Sequence, residues 1–433
     1  MKSKKVLSVL SFGVAASVAL VGCGQSTNSS SGSGSSGKTV TLNALFMKQA
    51  GYSEANIEDM TKAFEAKYPN IKVNLSFVPY DSLHDKIVTG LATGANSYDA
   101  VLVDTIWTPE FAKAGFIEDL SGKLPSSFTS GAYQPALGTV EYQGQYYGVP
   151  WIMDTKYFYY NSKMLQQAGI SKPPTTWSQV LNDSKILKSK NIVKYPLDWS
   201  WSQAEALVCD YATLVSDFGG QIVNDKGDLV VNQGGAMAAL NFMVASLKDG
   251  LTNPGSTQSL EDDVRKVMSQ GQAAFSLNWT YAYALENDKS QSDVAGQVGV
   301  EPVPGTSAVP FPAPSVNGAM GLAIAKSSAH PQQALEYIEY LASQPVEDKY
   351  AQLSLPFYKS SLKEQSVIKT APALVKAASI QFNNIVNRPA VPQYQTLSHI
   401  LQVQIQKALL GQETPQKAMD DAVAQWNSQK SGS

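Results

Sequence analysis

The sequence predicts an α/β fold, because strand and helix patterns alternate along the first part of the folded chain. A strand pattern over 40–46 comes first, and residues 57–68 then carry apolar side chains at helical spacing after Ser53, which suits a helix cap. Apolar and polar residues alternate over 71–77, as in a strand with one solvated face. A second helical pattern precedes 100–103, a wholly apolar run typical of a buried strand. This order implies a parallel sheet with right-handed crossovers.

The first 22 residues have the pattern of a secretory signal peptide. Lysines precede a mainly apolar stretch, 6–20, which is shorter than the roughly 20 residues that a stable membrane-spanning helix needs. Leu20-Val21-Gly22-Cys23 resembles a bacterial lipobox, in which the cysteine is lipidated and becomes the mature N-terminus. We expect acyl chains on Cys23 to hold the protein on a membrane, with a plain secreted protein as the alternative. Residues 24–37, all small or polar, are predicted to form a flexible tether.

Composition and motif content exclude several classes of protein. The formal charge of −3 becomes −6 when the three leader lysines are removed, so neither nucleic acid nor an anionic surface is an implied partner. Cys209 is the only cysteine besides Cys23, so lipidation of Cys23 leaves no pair for an intramolecular disulfide. The sequence contains no H-E-x-x-H, P-loop or G-x-G-x-x-G motif and no visible nucleophilic triad. We therefore predict no cofactor and no metal.

Residues 146–161 are predicted to form a long strand that crosses between two lobes and lines a ligand cleft. The stretch is dense in aromatic and β-branched residues and holds one acidic residue, Asp154, among apolar neighbours. The alternative is an ordinary buried strand in which Asp154 makes local hydrogen bonds. Residues 121–143, which include Pro125, Gly131 and Pro135, are predicted as a hinge, and 320–325 as a second crossing strand.

Tryptophans mark the expected ligand surface. Two of the seven lie inside helical patterns, Trp177 and Trp426, and core packing explains them. The other five follow the ends of predicted strands, where an α/β lobe presents its ligand surface: Trp107, Trp151, Trp199, Trp201 and Trp279. An indole combines an apolar face with a hydrogen-bond donor, which suits a sugar ring. We expect Trp151 and Trp279 to lie on the same lobe and to stack on the sugar.

Charged candidates are few. Asp104 ends a buried strand, and Arg388 lies in a predicted loop where its planar fork could bind hydroxyls or a carboxylate. A structural ion pair is the alternative for Arg388, and a turn or cap for Asp104. Glu205 follows Ser202 with the spacing of a capping box. Glycoside hydrolysis stays open as the alternative function, because it needs only two carboxylates, which could come from Asp104, Asp154, Asp198 and Glu205.

A series of short motifs covers nearly the whole mature chain in a characteristic order. They are Thr61-Lys62-Ala63-Phe64-Glu65, Tyr68-Pro69-Asn70-Ile71-Lys72-Val73, Tyr98-Asp99-Ala100-Val101, Tyr147-Gly148-Val149-Pro150 running to Tyr160-Asn161, Pro174-Thr175-Thr176-Trp177, Asn317-Gly318-Ala319-Met320-Gly321 and Gly411-Gln412-Glu413-Thr414-Pro415. In this order they resemble the extracellular solute-binding lipoproteins of bacterial ABC importers, in particular the sugar-binding group that includes maltose- and trehalose-binding proteins.

The resemblance implies a two-lobed α/β fold of the type II periplasmic-binding-protein kind with the ligand cleft between the lobes. The lobes would comprise 39–149 with 323–382, and 150–322 with 383–433. It implies a monomer that binds without turnover, is lipid-anchored to the outer face of the cell membrane, and delivers a carbohydrate ligand, a di- or oligosaccharide, to the permease subunits of an ABC importer. Which sugar is bound and which permease receives it are left open.

The resemblance also implies which residues touch the sugar. By position we assign to the ligand site Tyr52, Asp104, Trp107, Trp151, Asp154, Trp199, Glu205, Trp279, Asn317 and Arg388, with Trp201 as a further candidate. The chain departs from many relatives at 47–52, where they have a Gly- or Trp-rich turn. That loop helps to define one wall of the cleft, so ligand identity is open there.

Overall fold

The computed structural model describes residues 39–48, 51–92 and 97–432, so the predicted leader, lipidated cysteine and tether lie outside the described residues. The strands are β1 Val40–Met47, β2 Ile71–Val78, β3 Ala100–Asp104, β4 Glu141–Tyr142, β5 Gln145–Tyr146, β6 Val149–Ile152, β7 Tyr157–Asn161, β8 Leu197–Asp198, β9 Phe275–Asn278, β10 Val298–Glu301, β11 Ser315–Val316, β12 Met320–Ile324 and β13 Ile385–Val386.

Helices cover both sheets. They are α1 Glu54–Lys67, α2 Tyr80–Ala92, α3 Thr108–Lys113, α4 Ser126–Ser130, α5 Gln134–Val140, α6 Ser162–Ala168, α7 Trp177–Ser189, α8 Glu205–Asp217, α9 Gly234–Lys248, α10 Glu261–Ser269, α11 Thr280–Glu286, α12 Pro331–Leu341, α13 Gln344–Lys349, α14 Gln365–Ile368, α15 Pro372–Gln381, α16 Tyr394–Leu409 and α17 Pro415–Gly432. No helix in the described ranges combines the length and the apolar character needed to cross a membrane.

The first sheet has five strands in the order β2-β1-β3-β12-β6. β1 pairs in parallel with β2 along its whole length and also in parallel with β3, which confirms the parallel sheet predicted from residues 40–103. β12 runs antiparallel between β3 and β6. Because parallel strands end at one edge of a sheet, Asp104 at the end of β3 and the residues after β6 open on the same edge.

The second sheet has four strands in the order β10-β7-β9-β8. β7 is antiparallel to both β10 and β9, and β8 is parallel to β9. An apolar core packs around each sheet, and these two units are the first and second lobes. Trp177 and Trp426 lie in the second core at 1% and 3% exposure, which confirms that core packing explains them.

The chain passes between the sheets at neighbouring segments that hydrogen-bond to each other. Thr155 forms a β-bridge with Asn317, and its hydroxyl donates to the Val316 carbonyl at 2.8 Å. The Asn317 amide donates to the Val386 carbonyl at 2.8 Å. Residues 153–156, 317–319 and those following β13 therefore form one hinge.

The stretch 146–161 does pass from the first sheet to the second, as predicted, but three details of the predicted hinge were wrong. The strand is not continuous, β12 at 320–324 does not cross because it pairs within the first sheet on both sides, and 121–143 is not a hinge. The long strand over 146–161 is divided into β6 and β7, which belong to different sheets, and residues 153–156 between them make only isolated bridges, at Met153 and Thr155. Residues 121–143 form α4, α5 and β4 beside the first sheet, where their prolines and glycines delimit short elements. Since β6 and β12 both pair within the first sheet, we propose that the lobes divide at the hinge segments, a few residues from the boundaries expected at 149–150 and 322–323.

The helix caps follow the sequence in part. Ser53 and Asn56 form a capping box at α1, and Thr176 and Gln179 form one at α7. The predicted box at α8 is not formed: the N-cap is Ala204, without a side-chain hydrogen bond. The carboxylate of Glu205 is taken by other partners, which define the site below.

Candidate ligand-binding site

Arg388 binds two carboxylates that come from different lobes. Its Nη2 lies 2.9 Å from Asp104 Oδ1, at the end of β3, and its Nη1 lies 2.7 Å from Glu205 Oε1, at the start of α8. Nη2 also donates to the Asn317 carbonyl of the hinge at 3.2 Å. Asp104, Glu205 and Arg388, predicted separately from the sequence, are thus brought together at the hinge.

Hydroxyl groups complete the coordination of both carboxylates. Tyr80 donates to Asp104 Oδ2 at 2.8 Å. Tyr394 and Ser398, both on α16, donate to the two oxygens of Glu205 at 2.5 Å each. We call these residues, with Asp104, Glu205 and Arg388, the Arg388 network.

The electrostatics of the network keep its central cation charged. Burial acts to lower the pKa of Arg388, but the carboxylate of Asp104 above all, helped by Glu205, raises that pKa well above its ordinary value. Burial raises the pKa of the Tyr80 and Tyr394 hydroxyls, which therefore stay protonated and act as donors. One cation faces two anions, so the network as a whole carries a net charge of about −1.

Trp107 lies beside this network on the first lobe. Its ring stacks on Tyr80 at 5.4 Å between centroids and meets the His84 ring edge-on at 5.5 Å. Its indole N–H is buried and has no hydrogen-bond partner among residues 39–48, 51–92 and 97–432. A buried donor without a partner costs free energy, so such a group indicates a place where another molecule could accept a hydrogen bond.

Trp151 and Tyr52 pack together in the first core. Their ring centroids are 4.9 Å apart, and the centroids of Phe46 and Trp151 are 5.4 Å apart. Both residues are 1% exposed. The Trp151 indole N–H also has no partner within the described ranges. This enclosure favours a packing role for the two rings.

Trp199 and Trp201 stack on each other at 5.1 Å inside the second core. The Trp199 indole N–H donates to the Thr252 hydroxyl at 3.1 Å, so this side chain is enclosed and satisfied, and a core role is favoured over sugar contact. The Trp201 carbonyl accepts from the Gln406 side chain, while its indole N–H has no partner in the part of the chain described.

Trp279 differs from the other four because it is partly exposed. It precedes α11, and its indole N–H donates to Glu261 Oε1 at 3.1 Å. It belongs to the second lobe, whereas Trp151 lies in the first sheet, so the expectation that both lie on one lobe was wrong. The error follows from the predicted unbroken strand, which would have carried Trp151 into the second lobe.

Asp154 and Asn317 make local bonds at the hinge. Asp154 Oδ1 accepts from the Thr155 amide at 2.8 Å and from the amide and hydroxyl of Thr280 at 3.1 and 2.5 Å. Burial raises the pKa of Asp154 to about 7, against the opposing effect of these donors. The Asn317 side chain donates to Pro135 and Asn387 and accepts from Ala319. Only the Thr155 amide is a neighbour in the sequence, so local hydrogen bonding, the alternative considered for Asp154, describes one of these three bonds, and Thr280 is 126 residues away.

The sequence missed several residues of this site. Tyr80, Tyr394 and Ser398 lie in helical patterns, and nothing in their spacing indicates a partner. Lys156 was also missed: its ammonium is fully buried, 2.5 Å from Asp210 Oδ1 and 2.9 Å from the Ser200 hydroxyl. A lysine within an aromatic strand pattern was the one available signal, since a buried lysine requires a partner.

A two-lobed binding protein is the class that this fold and site define: two α/β sheets joined by a hinge, with charged and aromatic groups meeting where the lobes face each other. The chain matches the family described as bacterial extracellular solute-binding protein over residues 43–348, and it belongs to that family. The fold is the type II fold that the resemblance implied, and the family consists of extracellular or periplasmic binding proteins.

Relatives and solved structures agree with this assignment. A relative from Brucella abortus (strain 2308), described as a binding protein, is 26% identical over 370 residues, covering 85% of this chain and 88% of the relative. Maltose-bound MalE3 of T. maritima superposes with a TM-score of 0.83 at 28% identity, covering 89% of this chain and 99% of that one. An ABC transporter solute-binding protein of Thermotoga lettingae TMO with bound α-D-tagatose gives a TM-score of 0.81 at 28% identity, with 90% and 99% coverage.

The glycoside hydrolase alternative is not favoured. Asp104 and Glu205 share one arginine, and Asp154 holds the start of α11 through Thr280. Asp198 accepts a hydrogen bond from the Ser256 hydroxyl at 3.2 Å within the second lobe. A glycosidase needs an acid and a carboxylate that face each other across a sugar bond, and each of these four carboxylates instead has at least one oxygen bonded within the protein.

Proposed function

We propose that this protein captures a neutral sugar between its lobes and delivers it to the permease of an ABC importer. The observation that carries the proposal is the Arg388 network, which joins the end of β3, the start of α8 and the hinge through buried charged hydrogen bonds. Groups from both lobes therefore meet at one place, as capture by lobe closure requires. The net negative charge of the network disfavours an anionic ligand.

A sugar suits the groups available around the network. The indole N–H groups of Trp107 and Trp151 are donors without partners in the described ranges, and Trp279 offers a partly exposed aromatic ring. Hydroxyl oxygens accept from such donors, and the C–H face of a pyranose packs on an indole. Maltose and tagatose are bound by the two similar solved proteins, which supports the same ligand class here.

A thermal-shift panel tests the ligand class. We expect the domain from residue 39 onward to be stabilised by one or more of a set of mono-, di- and trisaccharides and polyols, and not by sugar phosphates. A ligand at about 100 times its dissociation constant should stabilise the folded state by about 2.7 kcal/mol. Stabilisation by sugar phosphates or amino acids in place of neutral sugars would overturn the proposal.

To deliver its sugar, the protein has to lie outside the cytoplasm and near the permease. The signal-peptide pattern and the lipobox before Cys23 support a lipid anchor, with residues 24–37 as the tether. We propose that the protein works as a monomer on the outer face of the cell membrane and releases its sugar unchanged. The second candidate, hydrolysis at the same site, has no observation in its favour.

A further inference from the structure

Trp279 is held by three residues from separate parts of the chain, which we call the Trp279 socket: Lys156, Glu261 and Gly318. Glu261 accepts the indole N–H at 3.1 Å. The Lys156 ammonium lies 5.0 Å from the centre of the indole ring. Gly318 lies so close to the other end of the indole that a Cβ placed on it would be 2.4 Å from Cζ3 and 2.9 Å from Cη2.

Gly318 is a glycine for reasons of space. Its φ lies outside the left-handed region, so an L-residue could adopt its backbone conformation. A carbon–carbon approach of 2.4 Å is far inside van der Waals contact, so either the hinge or the indole would have to move if Gly318 carried a side chain. Since the Gly318 amide donates to the Asp154 carbonyl at 3.0 Å, the hinge backbone is itself fixed.

Lys156 approaches the ring from the other hinge segment. Burial acts to lower its pKa, but the carboxylate of Asp210 outweighs this effect, so the pKa of Lys156 is raised and the ammonium stays charged. A cation over an indole is attractive by about 0.5–2 kcal/mol, more when water is excluded. The Lys156 carbonyl accepts from the Ser315 hydroxyl at 2.7 Å, which ties this residue to the strand leading to Gly318.

We propose that Gly318 and Lys156 are positioning residues that fix the Trp279 indole against the hinge, so that its remaining exposed face is presented to the sugar. Both belong to segments that connect the lobes, so the position of the stacking ring depends on the hinge conformation. The inference rests on the proposed function, because it assigns the affinity for the sugar to the geometry of the hinge. Trp279 touches the sugar, and Gly318 and Lys156 act through it.

A double-mutant cycle tests the proposal. The variants are Gly318→Ala, Trp279→Phe and the double variant, with Gly138→Ala as control because a Cβ at Gly138 meets no atom within 4 Å. The urea midpoint without ligand and the dissociation constants for maltose and for the best sugar of the thermal-shift panel are measured for each. In the unmodified background we expect Gly318→Ala to lower the urea midpoint and to raise the dissociation constant at least tenfold. In the Trp279→Phe background we expect it to leave the midpoint nearly unchanged and to change the dissociation constant by less than twofold. A phenyl ring does not reach the Cζ3 and Cη2 positions.

Equal effects of Gly318→Ala in both backgrounds would overturn the proposal. The proposal would also be overturned if the effect of Gly318→Ala on the urea midpoint depended on Trp279 while its effect on sugar affinity did not, since the contact would then be structural only. If Gly318→Ala alone fails to fold, a folded double variant supports the socket, and failure of both variants contradicts it. Absence of binding by the unmodified protein to every sugar in the panel would instead refute the proposed function, and this is seen before any variant is compared.

Discussion

The guanidinium of Arg388 lies 2.9 Å from the carboxylate of Asp104, and the two side chains are only 2% and 3% exposed. An ion pair at that depth loses the hydration of both charges, and further hydrogen bonds and charges offset part of that cost. Tyr80 and the Asn317 carbonyl make two of these hydrogen bonds, and Glu205 provides the second charge. The pair therefore joins the sheet of the first lobe to the hinge and to α8.

Replacing Arg388 should destabilise the protein strongly. Arg388→Met leaves the buried Asp104 and the partly buried Glu205 without their shared cation, and loss of one partner of a buried pair costs about 3–5 kcal/mol. Urea unfolding measures the free energy of unfolding directly. Lys266→Met is the control, because the Lys266 and Asp262 side chains are 53% and 51% exposed, and exposed pairs contribute about 1 kcal/mol or less. Equal losses in the two variants would contradict the assigned role.

The stability of the protein should fall as the pH rises from about 4 to about 7, partly because of Asp154. Burial raises its folded pKa from 3.8 to about 7, so over this range the unfolded chain has lost a proton that the folded protein keeps. Stability from this group is greatest below pH 4 and is lost as the pH approaches 7. Asp154→Asn keeps an acceptor for Thr280 and should flatten the profile. Asp119→Asn, at a carboxylate whose pKa is lowered, should leave the slope of stability between pH 4 and pH 7 unchanged. An unaltered slope in Asp154→Asn would contradict the prediction.

Much of the fold could be predicted because its signals are local. The alternation over 71–77, the apolar run before Asp104 and the cap at Thr176 each depend on neighbours within a few residues. The assignment of Trp177 and Trp426 to a core succeeded for the same reason, since helical periodicity sets which face is buried.

The site was less predictable because its contacts are long-range. Glu205 has the spacing of a capping box, yet Arg388 and the α16 hydroxyls take its carboxylate, and no local pattern reports a partner 183 residues away. The break between β6 and β7 was hidden because aromatic residues on both sides favour one continuous strand. Lys156 pairs with Asp210 and with Ser200, and these contacts arise only when α8 and the segment before it pack on the hinge.

Alanine at Trp151 should mainly lower stability, whereas alanine at Trp279 should mainly lower sugar affinity. Trp151 is enclosed by Phe46 and Tyr52, so Trp151→Ala should lower the free energy of unfolding by about 3–5 kcal/mol. Trp279 is partly exposed, so Trp279→Ala should mainly weaken sugar binding, by about 2–4 kcal/mol or about 30- to 1,000-fold. Calorimetric titration and urea unfolding of both variants separate the two effects. Unchanged affinity in Trp279→Ala would remove the stacking role.

The protein should leave its sugar intact, because the carboxylates at the site are paired or hydrogen-bonded within the protein. Prolonged incubation with the sugar that stabilises it most, followed by chromatography, should return only the starting sugar. The Arg388→Met protein, in which Asp104 and Glu205 lose their cation, is incubated with the same sugar, and the products of the two proteins are compared. Product formed at catalytic rates by the unmodified protein would revive the hydrolase alternative.

Cys23→Ala should release or misprocess the protein, because the tether supplies no other attachment and the lipobox cysteine is also the cleavage site. Residues 24–37 contain no apolar run, and acyl chains on Cys23 are the only anchor that the sequence predicts. Membrane fractionation and the mass of the N-terminal peptide measure retention and lipidation. Cys209→Ala is the matched control: Cys209 is the one other cysteine and lies buried in α8, so its replacement should leave the protein membrane-bound. Retention of Cys23→Ala on the membrane with a normally cleaved N-terminus would show that another feature provides the attachment.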